Sequence, residues 1–133
     1  MDTSKGPSEE AKSVDVYTAK GLLSTGYRYL DVRTKEEFEK GHVEGALNIP
    51  YMFITEEGRV KNPNFISQVL EVCNKDDHLV AACNSGGRGK KATIDLQHEG
   101  FEHVANIEGG YSAWVDAGFA GDNAAKLACK YRP

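Results

Sequence analysis

Apolar residues along this chain fall into short blocks separated by polar turns, and the spacing within each block predicts its conformation. Ser13-Val14-Asp15-Val16 alternates and predicts a short strand. Ala19, Leu22 and Leu23 then share one helical face from about Tyr17, with Gly26 as the stop. A second strand runs from Tyr27 to Arg33. Thr34 is placed to cap the next helix in a capping box with Glu37; Lys35 to Lys40 form that helix, Phe38 is its buried contact, and Gly41 ends it. Ala46 to Pro50 predicts a third short strand closed by its proline. From Tyr51 to Asn62 the pattern is irregular and charged. Pro63 then suits the first turn of a helix whose face holds Phe65, Ile66, Val69, Leu70 and Cys73. An apolar run leads to Cys83, and a helical pattern extends from about Gly89 to Glu99, with Gly100 after it. Val104 to Ile107 is the last strand; Gly109-Gly110 turns the chain into a helix from Tyr111 to Ala117, in which Trp114 is a packing residue.

Five strands with helices between most of them predict an open, mainly parallel five-stranded α/β sheet flanked by helices. Residues 1–12 are polar and hold both Gly and Pro, so they read as a disordered lead. The domain is expected over 13–120, and 121–133 as a flexible tail that contains Cys129.

The chemistry concentrates between the fourth strand and its helix, in Cys83-Asn84-Ser85-Gly86-Gly87-Arg88-Gly89. A loop entering a helix N-terminus directs several backbone N–H groups at one spot, where the helix dipole adds partial positive charge. Such a cradle binds anions and lowers the pKa of a cysteine placed in it. Arg88 could fork onto an oxyanion of an incoming substrate, and the glycines permit a sharp turn with room for a ligand. Cys83 is the expected nucleophile, with Asn84 to Gly89 as the substrate cradle. In open α/β sheets the carboxyl end of a central strand is also where ligands bind.

Other residues are assigned structural work. Asp31 and Arg33 at a buried strand end are expected to pair, because burying either charge alone is expensive. His42 would tie its loop by hydrogen bonds rather than act as a base for Cys83.

Composition narrows the function classes. The chain has 133 residues, 40% of them hydrophobic and 27% charged, which suits one domain with a core that needs no staple. A net charge of −4 without a dense basic stripe argues against a nucleic-acid surface. No apolar run reaches the length of a membrane span, and no signal-peptide core is present, so a cytoplasmic location is expected, or an organelle if a transit peptide was removed. Cys73, Cys83 and Cys129 are odd in number and widely spaced, which argues against a disulfide framework. Neither Cys-x-x-Cys nor a His pair at ligand spacing occurs, so no metal or cofactor is expected.

Three ordered segments resemble the rhodanese domain in the single-domain form of plants: Leu30-Asp31-Val32-Arg33 through Glu37-Phe38, Gly41-His42-Val43, Gly45-Ala46 and Asn48-Ile49-Pro50; the loop Cys83 to Arg88; and Gly109-Gly110-Tyr111-Ser112-Ala113-Trp114 through Gly118-Phe119. The resemblance implies a sulfurtransferase that takes a sulfane sulfur from thiosulfate or a similar donor onto Cys83 as a persulfide. An acceptor thiol such as glutathione, glutaredoxin or thioredoxin would then receive it. Asp31 and Arg33 resemble the family's structural pair. Relatives that act on phosphate carry one more residue between Cys and Arg, so the four-residue spacing here favours sulfur. The chain is also similar to plant members described as arsenate reductases. In that alternative Cys83 attacks arsenate, and Cys129, glutathione or glutaredoxin supplies the resolving thiol. A third alternative is a non-catalytic binding module, against which the presence of Cys83 counts. Sulfur transfer ranks first.

Overall fold

The computed structural model describes residues 11–85 and 87–119. The expected lead (save Ala11 and Lys12), Gly86 and the expected tail with Cys129 lie outside the described residues. The described chain runs β1 (Ser13–Val14), α1 (Val16–Ser24), β2 (Arg28–Asp31), α2 (Lys35–Lys40), β3 (Leu47–Asn48), β4 (Met52–Thr55), β5 (Gly58–Lys61), α3 (Phe65–Val72), β6 (Leu79–Ala82), α4 (Gly87–His98), β7 (Val104–Ile107) and α5 (Gly110–Asp116).

Five strands form one sheet in the order β1-β7-β6-β2-β3, and every pairing is parallel. β6 is therefore the middle strand. It and β7 are buried at every position, which explains why both read as continuous apolar runs instead of alternating ones. Side chains alternate between two cores. Leu30, Leu79 and Val104 join Phe65, Val69, Ala92 and Leu96 on the face covered by α3 and α4. Tyr29, Val80, Ala82 and Ile107 join Val16, Ala19 and Trp114 under α1 and α5. Trp114 meets Tyr29 edge-on, and Phe119 packs on Trp114 and Tyr17, so the C-terminal helix closes the second core as expected for a packing tryptophan.

Several expectations change. The stretch from Tyr51 to Asn62 is not irregular: it holds the antiparallel hairpin β4–β5, with Phe53 opposite Val60 and Ile54 opposite Arg59. Its strands lack a buried face, with Phe53, Ile54 and Val60 all exposed, so the period-two signal that a half-buried strand leaves in a sequence is missing. The first strand is shorter than expected because Asp15 is the N-cap of α1, its carboxylate accepting from the Thr18 N–H at 2.7 Å. α4 begins at Gly87, two residues before the predicted start, since a glycine pair masks a helical first turn. Pro63 precedes the Asn64 cap of α3 and does not occupy its first turn. Phe38 is only half-buried and stacks on His42 with ring centroids 3.8 Å apart, while Leu70 is exposed.

Candidate active site

Cys83 immediately follows β6 and is 1% exposed, packed in the core beneath α4. Neither it nor Cys73 is in a disulfide. The backbone around it is fixed from two directions. Its carbonyl accepts from the Tyr111 N–H at 2.7 Å, and the Asn84 carbonyl accepts from the Ser112 N–H at 3.0 Å, so the first turn of α5 is bonded to the start of the loop. This contact explains Gly110: its φ is +57°, and a Cβ there would run into the Cys83 carbonyl. On the other side Gly89 is buried in the first turn of α4. A Cβ there would overlap the Asn106 side chain and stand 3.3 Å from the Cys83 nitrogen. Gly89, expected among the cradle residues, thus lies in the packing that seats α4 on β7. Asn84, Ser85 and Gly87 are exposed, and among the described residues a Gly87 Cβ would meet nothing within 4 Å beyond its chain neighbours and its own helix backbone.

Arg88 stands in the first turn of α4, with its guanidinium forked onto Glu37. Nη1 donates to Oε1 at 2.8 Å and Nη2 to Oε2 at 3.0 Å. The fork expected to await a substrate oxyanion is thereby occupied. Glu37 also completes the predicted capping box: Thr34 N–H and Oγ1–H both donate to its Oε1, at 2.9 and 3.1 Å, and Thr34 Oγ1 accepts from the Glu37 N–H at 3.2 Å. The Arg88 bond, ahead of the Thr34 contacts, holds the Glu37 carboxyl down at about 2, against the opposing effect of burial. Glu37 was legible in the sequence as a cap but not as the partner of Arg88. The two residues are 51 positions apart, and no local pattern connects them.

Asp31 and Arg33 do pair, at 0% and 4% exposure. Arg33 Nε donates to both carboxylate oxygens and Nη2 to Oδ2 at 2.7 Å, while the Arg33 backbone N–H donates to Oδ1. A second Nη2 bond reaches the Gly41 carbonyl, and the guanidinium lies 4.2 Å from the Tyr111 ring centre. Burial opposes the Arg33 charge, but the Asp31 contacts outweigh it and raise its pKa. Deep burial and then the Asp31 charge raise the Tyr29 phenol in the same region. His42 lies as predicted, its Nδ1 bonded at 2.8 Å to the Phe38 carbonyl. Among the described residues no group of three or more His, Cys, Asp or Glu side chains is arranged to hold a metal ion.

A cysteine closing the middle strand of a parallel sheet, followed by a short loop into a helix, sets a thiol at the carboxyl end of that strand, where open α/β sheets bind their ligands. The model of the rhodanese-like domain matches residues 15–117, and the chain belongs to that family. It is 69% identical over 128 residues to the Arabidopsis thaliana protein HIGH ARSENIC CONTENT 1, mitochondrial, covering 94% of this chain and 76% of that one. Thiosulfate sulfurtransferase 18 of the same plant is 50% identical over 119 residues, covering 88% of each chain. A solved rhodanese-like domain from Anabaena shares the fold with a TM-score of 0.66 at 23% identity, covering 80% of this chain and 74% of that one.

Proposed function

We propose that this chain is a sulfurtransferase that carries a sulfane sulfur on Cys83. In the first half-reaction the Cys83 thiolate attacks the outer sulfur of thiosulfate; a sulfur–sulfur bond forms to the cysteine, the donor's own sulfur–sulfur bond breaks, and sulfite departs with the electron pair. In the second, an acceptor thiolate such as that of glutathione, glutaredoxin or thioredoxin attacks the outer sulfur, and Cys83 leaves as thiolate. Asn84 to Gly87 would form the cradle around the persulfide.

The observation that carries this reading is the occupied fork of Arg88. With each flanking arginine already paired to its own carboxylate, Arg33 to Asp31 and Arg88 to Glu37, the pocket offers backbone dipoles more than net charge. The persulfide that Cys83 would carry is a monoanion, and N–H groups at a helix start suffice to hold it. The 50% identity to a thiosulfate sulfurtransferase points the same way.

A second reading has one observation in its favour, the 69% identity to a relative whose name records high arsenic content. Here Cys83 attacks arsenate and displaces water. A second thiol, from Cys129, glutathione or glutaredoxin, then attacks the Cys83 sulfur; a disulfide forms and arsenite leaves with the electron pair. The mitochondrial label on that relative also makes an organelle as fitting a location as the cytoplasm.

Intact mass of the reduced protein after brief exposure to thiosulfate, beside Cys83→Ser, tests the first reading. Gain of one sulfur atom in the wild type alone is the expected result. No gain, together with arsenite production from arsenate, glutathione and glutaredoxin, would replace sulfur transfer with the second reading.

A further inference from the structure

The β4–β5 hairpin forms a sheet of its own, apart from the five parallel strands, and so has two outer edges. The Asn62 N–H donates to the Tyr51 carbonyl at 2.9 Å, and hydrogen-bonded pairs alternate along an antiparallel ladder, so Phe53 with Val60 and Thr55 with Gly58 are the next such pairs. Met52 and Ile54 on β4, and Arg59 and Lys61 on β5, therefore turn their N–H and C=O groups outward. Among the described residues those backbone groups have no hydrogen-bond partner. The two edges differ in how they are guarded. β5 carries Arg59 and Lys61, the kind of charge that keeps an edge strand from pairing with a neighbour. β4 carries no charge from Met52 to Thr55, and Ile54 on it is 64% exposed.

We propose that the β4 edge is an interface with a second copy of this chain: β4 pairs antiparallel with its counterpart about a two-fold axis at Phe53, and two hairpins join into one four-stranded sheet. The residues along the edge select this occupant and this register. With the axis at Phe53, Met52 of each copy stands opposite Ile54 of the other. These are the residues whose backbone groups face outward, so every free N–H and C=O between them is paired. The two Phe53 side chains meet at the close, non-hydrogen-bonded position. Because Phe53 already lies opposite Val60 within each hairpin, one face of the joined sheet carries an unbroken apolar row of Val60, Phe53, Phe53 and Val60. In the single chain Phe53 and Val60 are 42% and 44% exposed, and the row gives them partners. The other registers are disfavoured by charge. Pairing through β5 about Val60 would set Arg59 of each copy against Lys61 of the other, and an axis at Ile54 would set Met52 against Glu56. Two strands of four residues bury less than the roughly 1,200 Å² of stable complexes, so the association is weak and concentration-dependent.

Sedimentation equilibrium of the full chain, loaded from micromolar to millimolar concentration, is the test. The wild type should show a reversible monomer–dimer equilibrium with a dissociation constant on the order of 100 µM. Ile54→Lys places a guard charge on the β4 edge and should weaken the dimer at least about tenfold. Leu70→Lys charges an exposed apolar position on α3 instead and should leave the equilibrium unchanged. The register is read by Phe53→Cys treated with diamide, which takes two electrons and two protons from a pair of thiols and leaves them joined. Peptide mass spectrometry should find a disulfide linking the two substituted positions, since Cα atoms about 4.5 Å apart lie within the span of that bond. Val60→Cys, one strand further out, should give no such link. A wild type that stays monomeric at every concentration would overturn the proposal and leave the edge to a strand of a different protein. A dimer that survives Ile54→Lys, or one in which Phe53→Cys does not cross-link, would overturn it equally. Should Ile54→Lys not fold, the cross-link decides alone.

Discussion

Replacing Gly110 with alanine should damage sulfur uptake through a backbone contact, without touching any side chain of the loop. At φ +57° an alanine costs about 1–2 kcal/mol relative to glycine. Its Cβ would also collide with the Cys83 carbonyl, so either α5 or the loop must withdraw. Withdrawal breaks the 2.7 Å bond from the Tyr111 N–H to that carbonyl, a loss of about 1 kcal/mol for a neutral hydrogen bond. The sum is about 2–3 kcal/mol, or a fall in Tm of about 10 °C for a domain of this size. Gly109→Ala is the natural control. Gly109 is also left-handed, at φ +78°, but its Cβ would meet the Ala113 side chain at 2.6 Å and not the loop. Both variants should melt early, and both can be assayed at a temperature where they remain folded. Sulfur uptake by intact mass should then be slowed at least about tenfold in Gly110→Ala, the scale of one displaced reacting group, and little changed in Gly109→Ala. Equal rates in the two variants would refute the claim that α5 positions the nucleophile.

Three further outcomes follow from the packing and the charges. Asp31→Ala strands the buried Arg33 guanidinium and should cost about 3–5 kcal/mol in urea unfolding; a loss below about 1 kcal/mol would mean that Tyr111 and the Gly41 carbonyl alone can hold the charge. Glu37, depressed from an ordinary value of 4.5 to about 2, contributes stability that is full above its unfolded pKa and is lost as pH falls through that interval. Allowing for partial exposure, that contribution is about 2 kcal/mol, so stability measured between pH 5 and pH 2 should fall more in the wild type than in Glu37→Gln by about that amount. Phe65→Ala should cost about 3–5 kcal/mol, because Phe65 is fully buried against Tyr51, while Leu70→Ala should change stability by no more than about 0.5 kcal/mol. Equal effects would invalidate the orientation of α3.

The elements that bury a face could be read directly from the chain. The parallel strands β6 and β7 and the capped helix α2 announce themselves, the strands through apolar runs and the helix through Thr34 with Glu37 at cap spacing. The β4–β5 hairpin does not, because Phe53, Ile54 and Val60 stand in solvent and only Met52, at the start of β4, packs against the core. Site residues divide in the same way. Cys83 follows from its place between an apolar run and a glycine-rich turn. The Asp31–Arg33 pair follows from the cost of a lone buried charge. The Arg88–Glu37 pair joins residues from different strand–helix units, and only the sheet order β6-β2 brings them together.

That adjacency also explains why three separated motifs travel together. β2 lies beside β6 in register, Asp31 opposite Ala82, so the segment after β2 is delivered to the side of the Cys83 loop. The end of β2 and that segment supply the carboxylates for both arginines, Asp31 to Arg33 and Glu37 to Arg88. The Gly109-Gly110-Tyr111 turn supplies the N–H that fixes the Cys83 carbonyl and the ring that covers Arg33. The loop from Cys83 to Arg88 is accordingly only one third of the site. Grafted alone onto another parallel sheet, it would carry an unpaired arginine and an unanchored strand end. Its cysteine would stand beside an uncompensated guanidinium on a backbone that nothing fixes, so the sulfur chemistry proposed here depends on the β2–α2 segment as much as on the nucleophile.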